Sequence, residues 1–399
     1  MSEVREVADR LRAAGNRLRA RPEEEVIAAL ATLLDCWREP DGPWQSTLAS
    51  RLAEHAGFSE SNVRDGLRVA LADWNEAGLR RLVARELGDR PATQRHGFPL
   101  TSILCAGVIP MPTLLQIVLS LLVRSPALVK PASRDPVTAS LVAASVASVD
   151  ADLADCVGIV PVDSSDEAGL NDLLASECIV SSGADATIGA VQARLSRGQR
   201  FVGYGHRFSI AVLADSTLDS EHARSIALDV SLWDQLGCMS PIEIYAVGDD
   251  AAARARFARA LADALRQREE VAPLGEIDAA SASLVRHERE TVRMRLANGG
   301  GGQLVESDGL RWTVVEEPDA AQRPAPLHRF IRILPVTDER ALQEALAPRA
   351  HQLSSAAVAG FSPSIPALAG VRRCPPGQMQ APPLDAPHDG KLLLAPLLP

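Results

Sequence analysis

The chain has 399 residues, 46% of them hydrophobic and 23% charged, with a formal net charge of −10. That length exceeds one simple core and implies roughly two or three lobes of a globular protein. The acidic balance excludes a nucleic-acid binder, which needs a basic face.

The chain opens with MSEVREVADRLRAAGNRLRARPEEE, amphipathic and charged, with no apolar signal segment, so a cytoplasmic protein is expected. Residues 1 to about 90 read as helical: Val26, Leu30, Leu33 and Leu34, then Leu79, Leu82 and Val83, recur at helical spacing. Gly57 and Ser59 punctuate this region, and Ser59 to Val63 resembles a helix start.

The texture then becomes α/β. Ile103 to Ile109 reads as a strand ending at Pro110, followed by a helix to Val123. The apolar run Leu104 to Val123 is interrupted by Pro110, Pro112, Gln116 and Ser120, so it is a buried helix and no membrane span. Strands follow at Ala127 to Lys130, Val157 to Pro161 and Cys178 to Ser181, with helices at Val137 to Val149, Leu170 to Ala175 and Ala184 to Leu195. This alternation implies parallel βαβ units and a dinucleotide-binding layer.

A second layer begins near His206. Strands are expected at Phe208 to Leu213, Pro241 to Val247, Trp312 to Glu316 and Phe330 to Pro335. A long helix is expected over Glu221 to Gln235 and another over Ala251 to Arg266. The NGGGGQ run ending at Gln303 reads as a flexible loop; no helix start follows it, which argues against phosphate binding. From Pro375 the proline-rich tail reads as extended, and there are no internal repeats.

Six cysteines (Cys36, Cys105, Cys156, Cys178, Cys238 and Cys374) are scattered without CxxC spacing or clustered histidines. A disulfide framework and a metal site are both disfavoured, and one thiol is left available as a nucleophile. Cys238 stands in Asp234-Gln235-Leu236-Gly237-Cys238-Met239-Ser240-Pro241, between a helix and a strand. A cysteine in such a turn can expose its sulfur and offer its own N–H to a developing oxyanion. On its own, a lone cysteine there is more often a core residue.

Lys130 and Lys391 are the only lysines, arginine supplying every other basic side chain. Lys130 ends a strand and is followed by Pro131, Ala132, Ser133 and Arg134. A lysine and an arginine flanking a small hydroxyl residue could hold the 2′-phosphate of NADP, where an acid would prefer the bare ribose of NAD; a surface basic pair is the alternative. Ser182-Gly183-Ala184-Asp185-Ala186-Thr187-Ile188-Gly189 is a strand-to-helix turn whose helix start could face a pyrophosphate. Neither it nor Gly203-Tyr204-Gly205 is a GxGxxG motif, and a plain turn stays open for each.

Taken in order, these segments resemble the LuxC-type acyl-CoA reductases, the fatty acid reductase component that supplies aldehyde in bacterial luminescence, within the aldehyde dehydrogenase superfamily. The resemblance is carried by AGVIPMP (106–112), LVKPASRDP (128–136), SSGADATIG (181–189), VGYGHR (202–207), ALDVSLWDQLGCMSP (227–241), RWTVVEEPD (311–319) and CPPGQMQAPPLDAPHDG (374–390). It implies a Rossmann-like cofactor domain plus an α/β catalytic domain with an N-terminal helical segment. The expected division is 1–90 helical, 91–205 cofactor-binding and joined by 351–399, and 206–350 catalytic.

The resemblance makes Cys238 the acyl-accepting nucleophile and gives the cofactor, NADPH, to Lys130, Pro131, Ser133 and Arg134, with Ser182, Gly183 and Gly189 along its phosphates. Gly203 stands where hydrolytic aldehyde dehydrogenases place a water-activating glutamate, as suits an enzyme that must not hydrolyse its thioester. His206 either orients Cys238, donates a proton or is structural. Val108 replaces the asparagine whose amide donates to the oxyanion, and the region near His328 and Arg329 departs from the superfamily's glutamate.

The implied reaction is reduction of a fatty acyl-CoA, or another carrier's acyl thioester, to the aldehyde. Rival expectations are an aldehyde oxidiser, a cysteine acyltransferase or thioesterase using Cys238 and His206, and a non-catalytic homologue. Acyl-transferase and synthetase partners and a homo-oligomer are implied by the resemblance alone.

Overall fold

A computed structural model describes residues 2–399. Five helices lead the chain: α1 (Glu3–Ala20), α2 (Glu23–Arg38), α3 (Pro43–Ala56), α4 (Glu60–Ala70) and α5 (Glu76–Leu87). The stripe read from sequence is the buried one, with Val26, Leu30, Leu33, Leu34, Leu79, Leu82 and Val83 all in the core. Side-chain caps fix two of the starts: Ser2 accepts the Arg5 N–H, and Asn75 that of Gly78.

The α/β part of the first compact unit contains β1 (Thr101–Leu104), α6 (Met111–Leu122), β2 (Ala127–Lys130), α7 (Thr138–Val149), α8 (Ala151–Ala154), β3 (Val157–Ile159), α9 (Glu167–Leu173), β4 (Cys178–Ser182), α10 (Asp185–Ala193) and β5 (Arg200–Tyr204). The strands form one parallel sheet in the order β3-β2-β1-β4-β5. The chain moves outward from β1 through β3, then crosses back to the other side of β1. This reversal opens a crevice beyond the carboxyl ends of β1 and β4. The first strand stops at Leu104 instead of running to Ile109, because the backbone turns through Gly107 at φ +83°. The apolar helix α6 is almost wholly buried, and no described helix is long and apolar enough to cross a membrane.

The second unit holds β6 (Phe208–Ala214), α11 (Ser220–Ser231), β7 (Pro241–Val247), α12 (Ala251–Val271), α13 (Ala279–Ala297), β8 (Gln303–Glu306), β9 (Thr313–Glu316), β10 (Phe330–Val336), α14 (Glu339–Leu346), β11 (Leu353–Ala359) and β12 (Arg372–Cys374). Its seven strands run β12-β11-β6-β7-β10-β9-β8, parallel except for the β8–β9 pair. Both sheet faces are dry. Ala211 and Leu213 join one core with Ile226, Phe257 and Leu261, whereas Ile210 and Val212 join another with Leu342 and Leu346.

The units divide the chain differently from the expected boundaries. The first comprises residues up to Ala56, Ala70–His206 and Pro383–Pro399; the second comprises Gly57–Val69 and Arg207–Pro382. Residues 351–382 stay with the second unit because β11 pairs with β6 and carries β12 beyond it. Nor is 1–90 one segment. Val4, Ala8 and Leu11 of α1 share a core with Leu104, Leu128 and Ile179 of the first sheet, while most of α4 goes to the second unit.

Gly158 of β3 shows how closely α1 is seated, since an added Cβ would lie 2.6 Å from Val7 and 2.9 Å from Leu11. Gly158→Ala is expected to destabilise the protein by about 1–3 kcal/mol through overpacking, read as a lowered midpoint in urea unfolding.

Candidate active site

The carboxyl edge of the first sheet gathers the candidate cofactor residues. Lys130 ends β2 beside Leu104 of β1, and Pro131 follows it half-buried, with Ser133 and Arg134 exposed. Across the switch, Ser182 ends β4 and Gly183 turns at φ +152°. Helix α10 starts from Ala184 with no side-chain cap, so its first N–H groups have no side chain of their own to satisfy them. Around its first turns the exposed residues are Ala184, Asp185, Ala186, Thr187, Gly189 and Ala190, all but Asp185 and Thr187 having at most a methyl side chain. A Cβ on Gly189 or Gly107 would meet nothing within 4 Å. A shelf of small side chains with an uncapped helix start and a lysine across the switch fits a dinucleotide phosphate chain. Two acids stand close: Asp185 is exposed in the first turn of α10, and Asp163 is held below the usual carboxylate range mainly by its bonds to Ser165, with a smaller contribution from the charge of Lys130.

On the outer side of this edge, Gly203 has no space for a larger residue. An added Cβ would lie 2.9 Å from both Ile188 and Phe201. Its carbonyl accepts from the Lys391 ammonium, which comes from a tight His388-Asp389-Gly390-Lys391 turn. Tyr204 stacks on His388 at 4.5 Å between ring centroids. His206 is exposed, and its backbone N–H donates to Asp185 at 2.8 Å. Val108 is buried, 3% exposed, and an aliphatic side chain offers the site no donor.

Four thiols are disfavoured as nucleophiles by their surroundings. Burial pushes Cys105, Cys156 and Cys374 up to about 11 and Cys178 up to about 12, which keeps them protonated and unreactive near neutral pH. Cys36 lies within α2. Cys238 lies in the turn before the amino end of β7, half-buried.

That turn differs from the expected helix over Glu221 to Gln235. Helix α11 ends at Ser231, and Trp233, Asp234 and Gln235 take φ +54°, +51° and +63°. A second left-handed run, Leu327, His328 and Arg329, has φ +64°, +55° and +61°. Each such residue costs roughly 1–2 kcal/mol relative to the right-handed form, so both runs need outside support. They support each other. Arg329 donates to Asp234 at 2.7 Å and to Glu269 at 2.8 Å. The Gln235 amide exchanges hydrogen bonds with Phe330, accepting its N–H at 2.8 Å and donating to its carbonyl at 2.9 Å.

Sequence reasoning missed the residues that brace this turn. Asn62 of α4 donates to Asp234 at 2.6 Å and to the Ser231 carbonyl at 3.1 Å, and accepts the Trp233 N–H at 3.1 Å. Trp233 lies on Gly66, where a Cβ would be only 2.4 Å from its indole, and meets Phe58 edge-on. Beyond the cysteine, the Ser209 hydroxyl donates to the Cys238 carbonyl at 2.7 Å, and Gln380 donates to Ser240 at 2.9 Å. Asp229, fully buried, accepts the N–H groups of Gly377 and Met379 and so anchors the segment bearing Gln380. The only sequence signals were polar residues in apolar company, which one chain does not mark out.

Burial pushes the Asp234 carboxyl up, while Arg329 and the Gly275 N–H draw it back. Arg329→Met would leave two carboxylates without their buried cation. A loss of about 3–5 kcal/mol is expected, measured by chemical unfolding against Arg340→Met, whose exposed partner Glu344 makes little difference to stability.

The acyl-CoA reductase (LuxC) family matches residues 18–398. Among curated relatives, long-chain acyl-protein thioester reductase 2 of Photobacterium leiognathi is 23% identical over 242 residues, 59% of this chain. Long-chain acyl-protein thioester reductase of Photobacterium phosphoreum is 23% identical over 333 residues, 79% of this chain. The chain spans only 48% and 66% of those relatives' own lengths. Among solved structures, an aldehyde dehydrogenase from Brucella melitensis biovar abortus superposes with a TM-score of 0.76 at 15% identity, over 99% of this chain and 88% of that one. With the doubly wound first sheet and the largely parallel second one, that likeness gives the fold as aldehyde dehydrogenase-like. The family match covers nearly the whole chain, and the protein belongs to the acyl-CoA reductase (LuxC) family.

Proposed function

We propose that this protein reduces an acyl thioester, borne on CoA or on a carrier protein, to the aldehyde, with NADPH as reductant and Cys238 as covalent acyl acceptor. The observation that carries the reading is the placement of Cys238: a half-buried thiol in a strained turn braced on both sides. Strain of this kind gathers at functional sites, and thiol burial sets four of the other cysteines aside.

The Cys238 thiolate attacks the thioester carbonyl, a sulfur–carbon bond forms, and the carrier thiol leaves with a proton. Exchanging one thioester for another is nearly isoenergetic, so this step needs a well-aimed sulfur more than a driving force. A nicotinamide cofactor held along Lys130 and α10 would supply the hydride that the acyl carbon accepts. The resulting thiohemiacetal collapses, its carbon–sulfur bond breaks, and aldehyde leaves as Cys238 regains a proton. His206 is the chain's candidate for moving that proton or orienting the sulfur.

Gly203 suits this chemistry. A carboxylate there would activate water and drain the acyl-enzyme to acid, and its neighbours Ile188 and Phe201 also crowd out a side chain. Val108 works against speed: where no other donor replaces the family's amide, the rate falls on the order of 10²–10³. A slow reductase is expected. Lys130 and Arg134 would hold the cofactor's 2′-phosphate around Ser133, with Pro131 turning the chain out of β2. Ser182, Gly183 and Gly189 would leave room for its pyrophosphate along α10.

Two measurements test this reading. Incubation with radiolabelled acyl-CoA is expected to label the protein on Cys238 and leave Cys238→Ala unlabelled; a variant labelled at the parent level ends the assignment. Ser133→Glu should weaken NADPH by at least about tenfold, equal to 1.4 kcal/mol, while sparing NADH, because a carboxylate repels the 2′-phosphate and accepts from a free ribose hydroxyl. Equal loss for both cofactors would count against this binding mode.

A further inference from the structure

We propose that Asn62 is a positioning residue for Cys238, acting through the left-handed turn from an arm of the chain far upstream. The inference rests on the reading of Cys238 as the acyl acceptor. Asn62 is completely buried, and each of its three side-chain hydrogen bonds goes to the stretch between the end of α11 and Asp234. It accepts the first N–H of the reversed turn, from Trp233. It donates to the carbonyl of Ser231, one of the groups that a helix end leaves without an internal partner. Its remaining bond goes to Asp234, the carboxylate that also receives Arg329. One amide therefore templates the change of hand.

The arm has docking contacts besides the Asn62 amide, although the Ser59 hydroxyl also accepts the Asn62 backbone N–H at 3.3 Å. Ser59 donates to the Pro273 carbonyl at 2.7 Å, Arg268 reaches Asp65 at 2.8 Å, and Phe58 packs on Trp233. These contacts hold the arm, whereas the Asn62 side-chain amide addresses the turn alone. Gln235 is fixed to Phe330 and Pro241, and the Cys238 carbonyl to Ser209. Only Leu236 and Gly237 separate those two anchor points. A shift at Trp233–Gln235 therefore passes to the sulfur with little chain to absorb it, and a displacement near 1 Å can cost on the order of 10² in rate.

The test compares Asn62→Ala with Ser59→Ala in the full chain. The readouts are the single-turnover rate of Cys238 acylation by palmitoyl-CoA, kcat and KM for the same thioester, and the thermal midpoint. Asn62→Ala is expected to slow acylation about 30- to 100-fold with KM within about twofold. Ser59→Ala is expected to lower the midpoint while the folded protein acylates at the parent rate. Acylation by Asn62→Ala at the parent rate per folded molecule, or equal slowing by both variants, overturns the proposal. Should Asn62→Ala fail to fold, Asn62→Ser serves: its shorter hydroxyl should give an intermediate acylation rate, and an unchanged rate overturns the proposal. Failure of the nucleophile reading shows separately, as Cys238→Ala that still takes up the acyl group.

Discussion

Asp234 is a carboxylate with 3% of its surface exposed, and the geometry around Cys238 depends on what answers its charge. Arg329, Asn62 and the Gly275 N–H all converge on it. The guanidinium cannot shed its proton to escape burial, so each charge is held by the other and by the hydrogen bonds around them. Such a network adds less net stability than its contacts suggest, because desolvation offsets most of the attraction. Its contribution is geometric. It ties two runs of three left-handed residues to each other where α11 ends.

The strained turn and the cofactor edge solve different problems. The covalent step proposed for Cys238 would need one atom held in one place, and the second unit has buried polar contacts on both sides of that residue. Cofactor binding needs an accessible surface that accommodates phosphate and backbone at close range. The edge proposed for the cofactor in the first unit offers small residues, an uncapped helix start and a change of strand order. Under the proposed binding mode Gly183 and Gly189 would matter for the volume they leave, and Ala184 for the cap it does not provide.

Gly203 joins these two themes. Its lack of a side chain follows from packing against Ile188 and Phe201, and it suits the proposed chemistry, in which a thioester intermediate would have to be protected from activated water. The neighbouring tail turn adds Lys391 at the Gly203 carbonyl and His388 on Tyr204. A segment that reads in sequence as a proline-rich extended tail is thus anchored to β5.

Periodicity and alternation alone made the α/β class, the helical character of residues 1 to about 90, the parallel strands at 127–130 and 241–247, and the buried nature of α6 readable, because hydrophobic spacing is a local property. Ordered motifs brought the family within reach, and singled out Cys238, Lys130 and Gly183 as candidates. Helix α13 escaped notice because charged residues interrupt its apolar stripe, and two of them, Glu288 and Arg289, are buried. The end of α11 at Ser231 was not readable either, since no glycine or proline interrupts the sequence before Gly237 and the turn's partner Asn62 lies some 170 residues away. The assignment of α4 and of residues 351–382 to the second unit likewise waited on tertiary structure. Sequence specifies which residues want burial; which distant amide or guanidinium meets a buried carboxylate is decided only when the chain closes on itself.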